Sequence, residues 1–386
     1  MKRMILILAA VSLLLSGCAS LFDGSYVSVT PHKEQNTQTD SGSIHVKNYD
    51  ELCDALANMA QSGTESGILY VSHYDQSKVD GDMEKAVKRT LEKDPIAAYA
   101  VDEVQWELGT NSGQSAVAVT ISYVHDRTEI RKIRQAEDLK AAESIIAEAL
   151  QDCETGVVLY LQSFTKTDFV QLVEDYADRY PQYVMETPQV IVNLYPDKGA
   201  ARVVELKFSY QTSRESLRAM QNQVRPVFTS ASLYVSGDAQ DREKFSQLYS
   251  FLMERYDYQL ETSITPAYSL LRHGVGDAEA FASVYAAMCR AAGLECLTVS
   301  GTRWGEPWYW NMIEDNGKYY HVDLLRCSQE ELFYERTDEE MEGYVWDYSA
   351  FPKSEPSVEP TDPTEPVDPT APTEQTQATQ AASPEA

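Results

Sequence analysis

An internal repeat constrains the fold of this chain more than any other feature of its sequence. The segment SYVHDRTEIR at residues 122–131 matches SYQTSRESLR at residues 209–218, and the offset is 209 − 122 = 87 residues. Upstream, GILYV at residue 67 corresponds to GVVLY at residue 156. A repeat of this length indicates two units with the same order of secondary structure.

Each repeat unit has the same pattern. An apolar strand is followed by apolar residues at helical spacing, which are Met83, Val87 and Leu91 in the first unit and Phe169, Leu172, Val173 and Tyr176 in the second. Two β-branched runs complete each unit, at 99–108 and 115–124 and then at 188–196 and 201–210. The pattern predicts two α+β modules, at residues 44–150 and 151–236.

A tyrosine and two arginines recur in each module: Tyr123, Arg127 and Arg131, and then Tyr210, Arg214 and Arg218. The arginines are four residues apart, so both point to one side of a helix. They indicate either a ligand site or, as we favour, a strand end followed by a solvated helix face.

The chain is strongly acidic. It has 32 Lys and Arg against 60 Asp and Glu, for a formal charge of -28 over 386 residues. Proteins that bind nucleic acid need basic patches opposite the phosphates, so this composition argues against nucleic acid as a partner.

The N-terminus predicts export. Lys2 and Arg3 precede an apolar run from Met4 to Leu15, which is too short to span a bilayer and is typical of a signal peptide at residues 1–17. The ending Leu-Ser-Gly-Cys resembles the lipobox of bacterial lipoproteins. That resemblance implies acylation of Cys18 and an extracytoplasmic protein anchored to the cell membrane by lipid.

Two segments of low apolar content flank the predicted domains. Residues 18–43 are rich in Ser, Thr, Gln and Asp and predict a tether. Residues 353–386 are rich in Pro, Thr and Glu and predict a disordered tail, because they lack the apolar side chains that build a core.

The segment at residues 237–352 contains the densest set of motifs. A helix is predicted at 276–291, with Phe281, Val284, Tyr285 and Met288 on one face. Downstream, WYWNMIEDNGKYYHVDLL reads as two strands joined at Asn316-Gly317.

These motifs resemble the transglutaminase-like superfamily. The resemblance rests on GVGDAEAF, a strand ending in SG, WYWN and NGKYYHVD, in this order. It implies a papain-like fold in which a Cys at a helix start works with a His and an Asp on neighbouring strands. The predicted fold class is therefore α+β, with tandem modules followed by a papain-like domain.

The resemblance also implies that the catalytic triad is degenerate. The positions of the Cys, His and Asp fall on Gly276, Trp308 and Asp323. Neither glycine nor tryptophan supplies a nucleophile or a base. The sequence therefore predicts a pseudoenzyme, and no residue is predicted to be catalytic.

Aromatic residues around the same position suggest binding instead of catalysis. The predicted ligand contacts are Trp304, Trp308, Trp310, Asn311 and Tyr320. Such rings bind sugars and peptides, and Trp is frequent in binding hot spots. The alternative, which we favour slightly, is that the rings fill a closed cleft.

The cysteines leave one catalytic alternative open. Five follow Cys18 and none forms a CxxC pair, so no metal or other cofactor is expected. Cys327 with His321 or His273 would be a relocated catalytic pair. Three functions remain: a pseudoenzyme that binds a peptide, a cell-wall glycopeptide or a protein; a divergent cysteine hydrolase of cell-envelope peptides; and a purely structural surface protein.

Overall fold

The computed structural model describes residues 44–354. The predicted signal peptide, the tether with its lipidation site Cys18, and the predicted tail beyond residue 354 lie outside this range. The described residues divide into two compact units: residues 44–90 with Val101–Tyr123, and Leu91–Ala100 with residues 124–354. Among the described residues, no helix has the length and apolar character needed to cross a membrane.

The first unit is built on a four-stranded sheet with the order β1-β2-β4-β3. Its elements are β1 (Ile44–His45), α1 (Tyr49–Ser62), β2 (Ser66–Tyr70), α2 (Val79–Lys93), β3 (Val101–Asn111) and β4 (Gln114–Tyr123). The β1–β2 pair is parallel and the other two pairs are antiparallel. Asn48 caps α1 by accepting a hydrogen bond from the Glu51 amide, and Gly63 ends the helix in the left-handed conformation.

The second unit begins with a sheet of the same strand order, β5-β6-β8-β7. Its elements are α3 (Pro95–Ala100), α4 (Arg127–Ile130), β5 (Arg134–Ala136), α5 (Leu139–Gln151), β6 (Gly156–Leu161), α6 (Phe169–Arg179), β7 (Gln189–Tyr195) and β8 (Arg202–Ser209). Again the first pair is parallel and the others are antiparallel. The strands and helices expected from the sequence form within a few residues of the predicted bounds.

The remainder of the second unit packs helices against an antiparallel sheet with the order β13-β12-β11-β14. Its helices are α7 (Arg214–Tyr234), α8 (Asp241–Met253), α9 (Pro266–Tyr268), α10 (Ala278–Ala291) and α11 (Leu324–Gln329), with a π turn at Ser269–His273 and a 3-10 turn at Asp338–Glu340. Its strands are β9 (Asp257–Tyr258), β10 (Val275–Gly276), β11 (Cys296–Arg303), β12 (Glu306–Asp315), β13 (Lys318–Val322) and β14 (Tyr344–Trp346).

The central helix α10 is buried along nearly its whole length. The face predicted from the sequence, including Phe281 and Val284, is fully buried, and so is Cys289 on the same helix. The helix contacts α7 and α8 as well as strands β11 and β12, so apolar residues occupy almost every position. Its position sets where the start of the helix lies relative to the sheet.

The hairpin between β12 and β13 turns at Asn316 and Gly317, as the sequence predicts. Both residues have positive φ, 52° and 76°. This is the geometry of a type I′ turn, which suits the right-handed twist of paired strands. The turn sets the register that places Asn311 opposite Val322, and Asp323 follows directly.

Candidate functional site

The start of α10 differs from the sequence prediction. The helix begins at Ala278, with Asp277 as its N-cap accepting a hydrogen bond from the Ala280 amide at 3.0 Å. Gly276 lies before the helix in β10, paired with Tyr258 of β9. The predicted helical span of 276–291 therefore starts two residues too early.

A side chain at Gly276 would point into packed residues. A Cβ atom at this position would lie 2.9 Å from the Ala280 Cβ and 3.1 Å from Leu270 Cδ1. A side chain here would enter the packed interior instead of the space at the helix start. Gly276 remains the position that the resemblance implies for the nucleophile, and neither it nor the first helical residue, Ala278, has a side chain that can attack a carbonyl.

Trp308 occupies the position that the resemblance implies for the imidazole. Its indole Nε1 donates a hydrogen bond to Asp323 Oδ2 at 2.9 Å. The guanidinium of Arg303 lies 5.2 Å from the centre of the indole ring and 3.6 Å from Asp323. The hydrogen bond from a ring N–H to a carboxylate is present, but indole nitrogen is a donor only and cannot accept a proton.

Asp323 is buried and fully engaged. Its Oδ1 accepts hydrogen bonds from the amides of Leu325 and Arg326 at 3.1 Å, which caps α11. Its Oδ2 accepts from Trp308 and, at 2.6 Å, from the hydroxyl of Tyr344. Burial and the adjacent carboxylate raise the pKa of Tyr344, so this hydroxyl stays protonated and donates. A carboxylate held by four donors is an anchor for the surrounding elements.

The five predicted ligand contacts separate into exposed and buried residues. Trp304 is 70% exposed at the tip of the β11–β12 turn, and Trp308 is half-buried. Trp310 and Asn311 are buried, and they bond to His321 Nδ1 and to the Ala282 carbonyl, respectively. As placed, Trp310 and Asn311 cannot contact a ligand, which corrects their assignment.

Tyr320 does not join the tryptophans. It pairs with Ile313, whereas the next residue, His321, pairs with Met312. Because side chains alternate along a strand, Tyr320 faces the side opposite Trp310 and Met312. It packs half-buried against the main core of the unit, and burial raises its pKa.

The alternative thiol site is not assembled among residues 44–354. Cys327 is fully buried against Tyr334 and Arg336, and burial raises the pKa of its thiol. The two ring nitrogens of His321 are bonded to Trp310 and Asp338, each at 2.9 Å. The ring of His273 packs edge-on against Tyr268. All five cysteines of the described range are free and buried.

Three residues of the site were not predicted from the sequence. Arg303 and Tyr344 contact Asp323, and Tyr258 lies 6.0 Å from the ring of Trp308. Arg303 ends the strand that pairs with the strand of Trp308, which was a usable signal. Tyr344 lies on β14, whose pairing with β11 has no local signature in the sequence.

Tyr123, Arg214 and Arg218 of the repeat make structural contacts, whereas the hydroxyl of Tyr210 is buried without a partner among the described residues. The hydroxyl of Tyr123 donates to the carbonyls of Met59 and Thr64. In the second unit, Arg214 and Arg218 both bond to Asp152, at 3.0 and 2.8 Å. These contacts join a strand end or a helix face to a neighbouring helix end.

Comparison with known proteins supports the domain assignment. Residues 229–324 match the model of the transglutaminase-like superfamily. Within the described part of the chain, no group of three His, Cys, Asp or Glu side chains is arranged to hold a metal ion. A comparison with curated proteins gives no match.

Several solved structures are similar at low identity. A TGase crystal structure shares 9% identity with a TM-score of 0.25, over 56% of this chain and 63% of that one. A candidate protease from Parabacteroides distasonis shares 9% identity with a TM-score of 0.23, over 67% and 40%. A candidate cysteine protease from Cytophaga hutchinsonii shares 12% identity with a TM-score of 0.24, over 38% and 65%. The chain spans less than two thirds of each of these structures.

Proposed function

We propose that this chain, whose residues 229–324 form a transglutaminase-like domain, is a non-catalytic surface protein that binds a peptide, a cell-wall glycopeptide or a protein partner. In this proposal a lipid on Cys18 holds it at the outer face of a bacterial membrane. The two sheets of equal strand order are tandem modules that act as spacers or as additional binding units.

The observation that carries the proposal is the hydrogen bond between Trp308 and Asp323. An amide-cleaving thiol enzyme needs a nucleophile, a base that removes its proton, and a carboxylate that orients the base. Here only the carboxylate is present, and an indole is bonded to it. The start of α10 offers Asp277 and Ala278 in place of a thiol.

The hydrolase alternative has less support. Every cysteine of residues 44–354 is buried, so none presents its sulfur to a substrate. The nitrogen atoms of His321 are both occupied. A thiol enzyme would require a cysteine and a histidine to come together by a large rearrangement of the core.

The exposed part of the aromatic set is the favoured contact surface. Trp304 has φ of 54°, a conformation that a bulky side chain rarely adopts. Its ring rests on Gly343, where a Cβ atom would lie 2.6 Å from the ring. Backbone strain of this kind clusters at functional sites. With Tyr258, 40% exposed beside Trp308, Trp304 offers aromatic surface to a ligand.

Activity assays on the full-length protein test the lack of catalysis. We expect neither ammonia release from a glutamine peptide nor incorporation of a fluorescent amine. The Ala278→Cys/Trp308→His double variant introduces a thiol at the start of α10 and an imidazole beside Asp323, and it should show activity above the wild type. Wild-type turnover that disappears in Asp323→Asn would overturn the proposal.

Binding assays separate a ligand-binding protein from a purely structural one. Purified peptidoglycan fragments and a peptide library are the probes, with Trp304→Ala as the test variant. Leu233→Ala, which removes another highly exposed side chain, is the control. Loss of binding only in Trp304→Ala supports the proposal. Absence of binding to every probe favours the structural alternative.

The lipid anchor needs a separate experiment. Cells that produce the full chain are labelled with an alkyne fatty acid, and Cys18→Ser is compared with the wild type. Label and membrane association should both depend on Cys18. Equal labelling of the two proteins would remove the anchor from the proposal.

A further inference from the structure

A cavity of about 470 Å³ lies in the second unit, outside the transglutaminase-like domain. Strands β6 and β8 line it, together with α3, α4 and the start of β5. Pockets for small ligands commonly measure about 300–1,000 Å³. None of the lining residues belongs to residues 229–324, so the cavity is independent of the function proposed above.

The charge of the cavity departs from that of the chain. Acidic residues outnumber basic ones by 60 to 32 in the whole sequence. The cavity wall instead has three of each kind: Glu129, Glu154 and Glu205, and Lys132, Arg134 and Lys207. Such a balanced wall suits a ligand that carries both charges, because a singly charged ligand would be repelled by half of it.

Tyr99 supplies a hydroxyl to this wall. Its side chain is 5% exposed, its ring stacks on His125 at 4.0 Å, and the edge of Tyr195 lies 5.4 Å away. Its hydroxyl has no hydrogen-bond partner among residues 44–354. Burial and the charges of Glu205 and Glu129 raise the pKa of Tyr99, so the hydroxyl remains protonated. The hydroxyl is therefore free to donate a hydrogen bond to a molecule in the cavity.

One acidic group, Glu205, lies deeper in the cavity than the basic groups, whereas Glu129 is exposed. Glu205 is buried and is held by the amide of Asn193 at 2.9 Å and by Lys207 at 3.2 Å. Lys132 and Arg134 are exposed, and thus belong to the mouth. An elongated ligand would place its positive end inside, near Tyr99 and Glu205, and its negative end at the mouth.

We propose that this cavity binds a small zwitterion, an amino acid or a short peptide. Its ammonium group lies between Glu205, Glu129 and the hydroxyl of Tyr99, and its carboxylate contacts Lys132 and Arg134. Arg134 also pairs with Glu148, and Glu205 with Lys207, so the ligand shares these charges. A neutral sugar would form no ion pair here, and phosphate would bring no cation to the buried carboxylate.

Calorimetric titration of the full-length protein tests this site. The probes are L-alanine, L-alanyl-L-alanine and L-lysyl-L-alanine, with N-acetyl-L-alanine, L-alaninamide, glucose and inorganic phosphate for comparison. We expect binding by at least one zwitterion, and at least tenfold weaker binding of the acetylated and amidated forms, because each lacks one charge.

Two variants connect binding to the cavity. Tyr99→Phe removes only the unpartnered hydroxyl, so it should leave the midpoint of urea unfolding unchanged while weakening binding about tenfold. Its control is Tyr210→Phe, which removes a tyrosine hydroxyl that lies outside the cavity and has no partner among the described residues. Lys132→Gln should weaken binding to a similar extent, and the exposed Lys166→Gln should not.

The outcomes decide the proposal in either direction. Zwitterion binding that falls in Tyr99→Phe and Lys132→Gln but not in their controls supports it. Failure of all three zwitterions at about 10 mM, well above the roughly millimolar affinity of a weak site, overturns it. Preference for glucose or phosphate, or affinity that neither variant changes, also overturns it.

Discussion

Replacement of Asp323 by alanine is expected to destabilise the second unit by about 4 kcal/mol. The cap on α11 contributes about 1 kcal/mol of this. The two hydrogen bonds that Oδ2 accepts, from Trp308 and Tyr344, add roughly 1.5 kcal/mol each, because they end on a buried charge and would leave their donors without partners.

Asp168 provides a matched control for this prediction. It caps α6 through the amides of Val170 and Gln171 at 3.1 Å, the same distance as in the cap made by Asp323. Unlike Asp323, it is exposed and accepts no side-chain bond. Asp168→Ala should therefore lose only the capping contribution, about 1 kcal/mol. The difference of about 3 kcal/mol between the two variants measures the buried side-chain contacts.

Urea unfolding monitored by tryptophan fluorescence measures both variants. Four of the five tryptophans lie between residues 304 and 346, so the signal reports on the region around Asp323. At roughly 2–4 °C per kcal/mol for a unit of this size, Asp323→Ala should also lower the Tm by about 10 °C. Equal destabilisation by Asp323→Ala and Asp168→Ala would refute the view that Trp308 and Tyr344 are anchored by this carboxylate.

Three further predictions concern α10 and the hairpin. Gly276→Cys should destabilise the protein by about 1–3 kcal/mol through overpacking; a stable variant whose new thiol alkylates rapidly would contradict the inward direction at this position. Burial and the nearby carboxylates of Asp277 and Asp178 raise the pKa of Glu279 to about 7. The folded state therefore binds the proton more tightly, so this contribution to stability is complete below pH 4.5, the ordinary value, and is lost as pH rises through 7. Urea unfolding as a function of pH should show a shallower decline over this range in Glu279→Gln, and identical profiles would exclude the effect. Gly317→Ala should raise the free energy of the folded hairpin by about 1 kcal/mol, because φ is positive at this residue. Thermal unfolding measures this effect. The control is Gly109→Ala, at an exposed glycine whose φ is not positive.

Much of the fold could be predicted because its signals are local. Helical spacing in Phe281 and Val284, and the Asn316-Gly317 turn, depend on neighbouring residues and on backbone preferences. The start of α10 was predicted two residues too early, because the local sequence does not distinguish a glycine that precedes a helix from a residue of its first turn. The direction of a Cβ atom at Gly276 depends on Leu270, which lies on another turn of the chain.

The aromatic set shows the same division. Alternation along β12 correctly places Trp308 and Trp310 on one face, where both pack with Met312. Alternation does not predict which of the two tryptophans is exposed, because β14 covers Trp310 more than Trp308. Trp310 contacts Tyr344 and Trp346 edge-on, and those residues reach it only through strand pairing.

By itself, the sequence determined that the position on β12 holds indole instead of imidazole and that no cysteine stands at the start of α10. These facts are covalent chemistry, which folding does not change. The tertiary structure alone decided that Ala278 and not Gly276 begins the helix, that Trp308 bonds to Asp323, and that Tyr99, Glu129 and Glu205 line one cavity. Such contacts join residues far apart in the chain, and only the packing of whole elements brings them within reach.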